Sequence, residues 1–278
     1  MNNQVFRRFI KSRASLAGSV VLLVFFATAI VGPSLCSYDP NKIDLRSVYQ
    51  HPSREHILGT DNLGRDTFTR IVVGARISLL VSFMGTITGS FVGVILGVAA
   101  GYFGGRTDAV ISRLVDLLLA FPGLLLAIVI VAILGNGIVN TMAAIAFYSI
   151  PYIARMVRGV VLTLKNSEYV QACKVMGASD ARIILTHIIP NSTSQIIINT
   201  TLNLGTAILT ASSLSFLGLG VTPPHPEWGA MLSQGREVIR YYPLAAIAPG
   251  TAITLVVLSF SIVGDGLRDA LDPRLKNS

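Results

Sequence analysis

Charged residues are absent from five long and mostly apolar stretches of this chain. The stretches are 14–38, 77–105, 117–154, 183–226 and 241–264. A helix that crosses the hydrocarbon core of a membrane needs about 20 predominantly apolar residues. The stretch 117–154 is too long for one such helix, and Gly135-Asn136-Gly137 in its middle indicates a turn. The pattern therefore predicts six membrane-spanning helices, at 15–35, 77–102, 111–134, 139–160, 194–219 and 243–265.

Composition strengthens the membrane assignment. Hydrophobic residues make up 52% of the 278 residues and charged residues only 13%, against about 25% in soluble domains. The basic segment before residue 14 resembles the start of a signal peptide, but the apolar run that follows exceeds the usual 7–15 residues. We therefore expect an uncleaved anchor helix and outer loop over 1–76, followed by a five-helix core over 77–278 that contains an inner loop at 163–190.

The net charge of +8 fits the orientation of a membrane protein better than a nucleic-acid partner. Basic residues concentrate on the cytoplasmic side of membrane proteins, and most of them fall inside when both termini are placed inside. In that orientation Cys36 and Cys173 lie on opposite sides, so no disulfide or metal framework is expected.

Glycine recurs at every fourth position of the second predicted span. Such a stripe lets the backbone of another helix approach closely within a bilayer. We therefore predict helix packing, either within the chain or between subunits, along Gly85, Gly89, Gly93, Gly97 and Gly101.

Five polar residues share one face of the fifth predicted span. Polar groups that face lipid are unfavourable, so this face must contact protein or water. It either lines a solute path or forms hydrogen bonds with a neighbouring helix, and the spacing alone supports both. The residues are Asn199, Asn203, Thr206, Thr210 and Ser213.

Several kinds of chemistry are missing. The chain has no GxxxxGK[ST] phosphate loop, so we expect no ATP hydrolysis, cofactor or catalytic residue in it. His51, His56, Asp61 and Asp66 match no standard metal-ligand spacing.

Asp116 lies near a predicted helix end, with Arg113 as its expected partner. Because the span centres lack acidic residues, an ion-coupled transporter is disfavoured, and energy for uphill transport must come from another protein.

The inner loop is the natural place for such a protein to bind. Ser167 can cap a short helix whose apolar face is Tyr169, Ala172, Cys173 and Met176. Gly177 is suited to end that helix, and Ser179 or Asp180 can start another. The loop is either a docking ridge for a partner or an amphipathic connector lying on the membrane.

Four motifs resemble one protein family in order along the chain. The inner loop, with Glu168, Ala172, Gly177, Ile188 and Pro190, resembles the "EAA" loop of ABC-importer permeases, although Cys173 replaces an alanine. The stretches HILGTDNLGRD (56–66), LSFLGLG (214–220) and GDGLRDALDP (264–273) resemble the dipeptide, oligopeptide and nickel branch of that family, specifically its second, C-type permease.

The resemblance implies an all-α integral membrane protein with the type I ABC-importer permease fold and a cytoplasmic coupling helix. It implies a bacterial cytoplasmic (inner) membrane location, with lipid, a homologous second permease and an extracytoplasmic solute-binding protein as partners. Two cytoplasmic ATPases would bind ATP and Mg and contact the coupling loop. The coupling residues would be Glu168, Tyr169, Ala172, Cys173, Met176, Gly177, Ile188 and Pro190.

Substrate identity is the least constrained expectation. We expect inward transport of small di- or oligopeptides, and the same family offers nickel, metal chelates or glutathione as alternatives. The alternative from another class is a secondary transporter or channel that would work without partners.

Overall fold

The computed structural model describes residues 3–271, and helices are the only regular elements in that range. The helices are α1 (Asn3–Lys11), α2 (Arg13–Leu35), α3 (Thr67–Phe103), α4 (Gly105–Leu119), α5 (Gly123–Leu134), α6 (Ile138–Lys165), α7 (Glu168–Val175), α8 (Asp180–Ile183), α9 (Ile189–Phe216), α10 (Trp228–Glu237) and α11 (Leu244–Leu271), with a π-helical turn at Ile184–Ile188.

Four of these helices, α2, α3, α6 and α11, are long and apolar enough to cross a membrane. The pair α4 and α5 meets the same criteria when it is taken as one broken span. The predicted fifth span corresponds to α9, which is long enough but carries too many Asn, Ser and Thr residues to qualify by hydropathy.

The prediction of one continuous helix over 111–134 is corrected by the structure. The chain bends by 93° between α4 and α5, at the segment that contains Pro122. Proline has no amide hydrogen to continue a helix and disfavours helical geometry in the residue before it. The second predicted span also starts earlier, at Thr67, because the side chain of Asp66 accepts a hydrogen bond from the Thr69 amide at 2.7 Å and caps α3.

The most extensive helix contact joins α3 to α6, within this chain, and the glycine stripe lies in it. A Cβ atom placed on Gly85, Gly93 or Gly101 would come within 2.8 Å of the Cβ of an α6 residue. The stripe therefore allows two long helices to touch along most of their length. The facing residues of α6 are Ile145, Ala146, Ser149, Ile153, Ala154, Val157 and Val161.

Two buried clusters hold the remaining helices and position the loops. One cluster surrounds Trp228 and joins α2, α3, α9, α10 and α11. The other surrounds Val157 and Val161 of α6 and extends into α7, α8 and the π-helical turn. The first cluster fixes α10 near the end of α3 that begins at Thr67, and the second fixes the inner loop at the opposite end.

Candidate docking surface and solute path

Helix α7 begins where the sequence predicts but is capped differently. Ser167 has extended backbone geometry and its carbonyl accepts hydrogen bonds from the amides of Val170 and Gln171, both at 3.1 Å. Its hydroxyl donates to the Leu164 carbonyl at 2.6 Å instead of accepting from α7. The side chain therefore ties the start of α7 to the end of α6.

Helix α7 ends at Gly177 in a tight hydrogen-bonded turn. Gly177 has a φ of +80°, its amide donates to the Lys174 carbonyl, and the next amide, of Ala178, donates to the Cys173 carbonyl, both at 3.0 Å. This is the Schellman arrangement, which favours glycine because side chains strain the left-handed conformation. The bend between the two short helices is therefore a fixed turn.

Substituting Gly177 by alanine should test that turn without a steric clash. No atom lies within 4 Å of an added Cβ, so the expected effect is the strain of the left-handed conformation alone, about 1 kcal/mol. We expect a lower unfolding temperature, and a further decrease for the β-branched Gly177→Val, as measured by a thermal shift in detergent. Equal stability of all three proteins would contradict the assignment.

Three apolar side chains anchor the inner loop to the core. Val170 of α7, Ile183 of α8 and Ile188 of the π-helical turn are fully buried. They pack in the same cluster as Val157 and Val161 of α6. Ile188, which the resemblance places among the coupling residues, is thus not accessible to a partner in this structure, and its position suits an anchoring role.

Tyr102, near the C-terminal end of α3, also contacts the inner loop. Its hydroxyl donates to the Asp180 carboxylate at 2.7 Å, at the start of α8. The ammonium groups of Lys165 and Lys174 lie 5.8 and 5.2 Å from the centre of its ring, within the range of cation–π attraction. One buried tyrosine therefore contacts elements on both sides of α7.

The exposed surface of α7 is an apolar ridge, which we define as Tyr169, Ala172, Val175 and Met176. Val175 is 89% exposed and Met176 77% exposed. Cys173 is only half-buried, and its Sγ lies 3.5 Å from Nε2 of His187. The helical spacing used for the sequence prediction missed Val175, which is exposed because it immediately precedes the turn.

Two ion pairs join α4 to α6 on the same side of the molecule. Arg158 binds the Asp108 carboxylate in a bidentate manner, at 2.5 and 2.6 Å. Asp116 pairs with Arg155 of α6, which corrects the predicted partner Arg113. The i, i+3 rule considers only neighbours on one helix, whereas the bend after α4 brings a second helix within reach.

The polar residues of α9 do not share one environment. Thr206 is exposed, Thr210 is buried and the other three are half-buried. Side chains of Asn199, Thr210 and Ser213 donate to carbonyls four residues earlier in α9, at 2.7–2.9 Å, a common way to satisfy such groups within a helix. The bond that α9 does form to α3 comes from Thr200, which donates to Ser90 at 3.2 Å.

A second stripe on α3 escaped the sequence analysis. Ser78, Ser82, Thr86 and Ser90 recur at every fourth position, as the glycines do, and all four are buried. The hydroxyl of Thr86 has no hydrogen-bond partner within residues 3–271. Burying a polar group without a partner is unfavourable.

Thr86→Val is therefore expected to stabilise the protein in this conformation. Valine has nearly the same shape and removes the unpartnered hydroxyl, for a gain of about 1 kcal/mol in the free energy of unfolding. Thermal unfolding in detergent measures the effect. Ser82→Ala is the matched control, since the Ser82 hydroxyl donates to the Ser78 carbonyl at 2.9 Å and its loss should give no gain. A less stable Thr86→Val protein would show that the hydroxyl has a partner.

The motif at 56–66 folds into a compact hydrogen-bonded loop that precedes α3. The Asp61 carboxylate accepts from the amides of Leu63 and Arg65 and from Arg65 Nε, at 2.8–3.0 Å. His56 pairs with Asp66 at 2.9 Å. No group of three or more potential metal ligands occurs among the described residues. This loop holds Asp66, the capping residue of α3, and thereby fixes where the helix begins.

Glu227 and Trp228 connect this end of α3 to α10, and the sequence analysis did not single them out. The Glu227 carboxylate accepts from the Ala230 amide at 2.9 Å and from the Ser78 hydroxyl at 3.1 Å. Trp228 is fully buried, and its indole donates to the Ile71 carbonyl at 3.0 Å. Burial raises the pKa of Glu227 above its ordinary 4.5, while the amide hydrogen bonds oppose that rise.

Stability should depend on the protonation of Glu227. Its folded-state pKa exceeds its unfolded-state value, so its contribution is complete below about pH 4.5 and is lost as the pH rises through the folded-state pKa. Glu227→Gln retains an oxygen acceptor and cannot ionise. We therefore expect the unfolding temperature of the natural protein, relative to that of the glutamine variant, to decrease as the pH rises above about 4.5. A constant difference would contradict this expectation.

Comparisons with known proteins point to one family. Residues 93–277 match binding-protein-dependent transport system inner membrane components, and residues 3–52 match the N-terminal transmembrane domain of oligopeptide transport permease C.

Full-length relatives agree with this match. The chain is 46% identical over 275 residues to the glutathione transport system permease protein GsiD of Pectobacterium atrosepticum, covering 99% of this chain and 91% of the relative. It is 46% identical over 274 residues to the dipeptide transport system permease protein DppC of Alkalihalophilus pseudofirmus, covering 99% and 90%.

A solved structure shares the fold. The MetNI methionine ABC transporter in an inward-facing conformation aligns with a TM-score of 0.60 at 18% identity, covering 73% of this chain and 97% of that chain.

Proposed function

The chain belongs to the family of binding-protein-dependent transport system inner membrane components, and on that premise we propose that it is the permease subunit through which an ATP-driven importer moves small peptides inward. The observation that carries the proposal is the similarity to dipeptide and glutathione permeases over 99% of the chain.

The rigid inner loop supports a coupling role. The apolar ridge projects from the protein, while buried anchors and the Tyr102–Asp180 hydrogen bond hold its base. An exposed apolar patch on a fixed support is typical of a protein-binding site. We assign the ridge, together with the exposed residues Glu168 and Pro190, to contact with cytoplasmic ATPases that bind ATP and Mg.

Transport then follows from a shift between two states. ATPases that bind the inner loop differently in their open and closed forms would change the relative populations of inward- and outward-facing permease. The chain itself needs no nucleotide site for this role. A homologous second permease and an extracytoplasmic solute-binding protein complete the proposed importer.

The proposed location is the bacterial cytoplasmic membrane, with both termini inside. That orientation places the ridge in the cytoplasm, and it places the 56–66 loop and α10 outside. The polar residues of α9 remain our proposed part of the solute path, and Thr206 is the strongest of them because its side chain is exposed.

Dipeptides and glutathione are both candidate solutes. Relatives named for each are 46% identical to this chain, and glutathione is itself a small peptide. The experiment is uptake by vesicles that contain the complete importer and ATP, with radiolabelled dipeptide and radiolabelled glutathione compared directly.

We expect ATP-dependent accumulation of at least one of the two peptides, and none in vesicles that contain this chain alone. Accumulation by the chain alone would favour a secondary transporter or channel. ATP-dependent accumulation of nickel but of neither peptide would contradict the proposed substrate class.

A further inference from the structure

A groove of about 280 Å³ lies between α2 and α3, far from the apolar ridge. Its walls are apolar side chains from both helices, and one end carries a guanidinium group. Phe26, Ala29, Ile30, Leu79, Leu80 and Phe83 form the walls, and Arg76 provides the charge.

Arg76 is a cation without a partner in this part of the molecule. Its side chain is exposed, and it makes no hydrogen bond or ion pair with any residue of 3–271. Arg155 and Arg158, by contrast, are each paired with an aspartate of α4. A guanidinium presents five hydrogen-bond donors and accepts none, so a ligand at this end of the groove must be an acceptor, preferably an anion.

The groove has a direction along the membrane normal. Arg76 precedes Phe83 by seven residues of α3, a distance of about 10 Å along the helix axis. The uncharged stretch 77–105 starts immediately after Arg76. The charged end therefore lies at a membrane boundary, and the apolar walls extend from it toward the hydrocarbon core.

A charged end and an apolar wall in this order suit an amphiphile. A phosphate group accepts two parallel hydrogen bonds from a guanidinium, and long arginine side chains near the ends of membrane helices reach the headgroup region. An acidic side chain of a second permease would satisfy the charge but would leave the apolar walls uncovered. The combined features therefore favour a lipid over a charged protein group.

We propose that this groove binds one anionic phospholipid, with its phosphate on Arg76 and an acyl chain between Phe26 and Phe83. The assignment of the site to the outer leaflet rests on the proposed orientation. The lipid would fill the space between the anchor helix α2 and the core helix α3.

The test uses the purified importer complex in detergent that has been depleted of lipid. Dioleoylphosphatidylglycerol and dioleoylphosphatidylcholine are titrated separately, with bound lipid counted by native mass spectrometry and stability followed by thermal unfolding. We expect the natural protein to prefer the anionic lipid. Arg76→Gln should bind it about tenfold more weakly, whereas Arg76→Lys should retain most of the preference. Arg54→Gln removes an exposed charge from the outer loop and should have no effect.

Three results would overturn the proposal. The first is equal binding of the two lipids by the natural protein, and the second is unchanged binding of the anionic lipid by Arg76→Gln. The third is a loss of second-permease assembly or a raised KM for peptide in Arg76→Gln with lipid binding intact, which would assign Arg76 to a subunit contact or to the solute. Because lipid binding is measured without ATP or peptide, failure here is distinguishable from failure of the proposed transport function.

Discussion

Replacing Gly97 by leucine is expected to abolish correct folding of the chain. A Cβ atom at this position would lie 2.6 Å from the Ala154 carbonyl oxygen and 2.7 Å from the Cβ of Val157. One of the obstructing atoms belongs to the α6 backbone, so rotation of a side chain cannot relieve the clash. Overpacking in a well-packed interior costs about 1–3 kcal/mol even where side chains can adjust, and here the two helices must separate.

The measurement is the yield of monodisperse protein after extraction into detergent. Gly159→Leu is the matched control, since Gly159 lies in α6 and no atom stands within 4 Å of an added Cβ. We expect near-natural yield for that control and very little folded protein for Gly97→Leu. Similar yields for the two variants would show that α3 and α6 are not held together at this contact.

A double substitution of Val175 and Met176 by aspartate is expected to uncouple the importer. Both side chains project from the apolar ridge, at 89% and 77% exposure, so their replacement should leave the fold intact. Burying an apolar side chain of this size in a partner contributes about 1.5–3 kcal/mol. Loss of two such contacts should reduce peptide-stimulated ATP hydrolysis by more than about tenfold.

The control is Leu45→Asp, which places one new charge at an exposed apolar position of the outer loop. It should not change ATP hydrolysis by the purified complex. Assembly with the ATPases is measured in parallel by co-purification, because weaker docking predicts reduced assembly as well as reduced coupling. Natural assembly and natural stimulation in the double variant would remove the ridge from the proposed contact.

The family and the predominantly helical membrane architecture were predictable from the sequence. Uncharged stretches locate membrane helices because lipid excludes charge, and the glycine spacing is a direct geometric signal. The comparisons confirm the predicted family, and the solved structure supports the predicted fold. The Gly177 turn was also visible in the sequence, since few other residues suit the conformation that it adopts.

Features that depend on contacts between distant segments were not predictable in this way. The pairing of Asp116 with Arg155 depends on the bend at Pro122, and the partners of Glu227 lie on another helix. The predicted start of this span at residue 77 is too late because the uncharged stretch begins after Arg76, whereas a capped helix continues through charges near its end. The hydroxyl stripe from Ser78 to Ser90 had the same visible spacing as the glycines, but its role depends on what packs against it.

The two ends of α3 have a mechanical consequence for the molecule. Ser78 contacts Glu227 in front of α10, and Tyr102 contacts Asp180 beside the apolar ridge. Ser78 and Tyr102 are 24 positions apart, which is about 36 Å along one uninterrupted helix. A tilt of about ten degrees around the midpoint of such a rod would displace each end by about 3 Å, in opposite directions. Through these two contacts, a tilt of α3 as a rigid rod would move the apolar ridge and the structure around Glu227 in opposite directions.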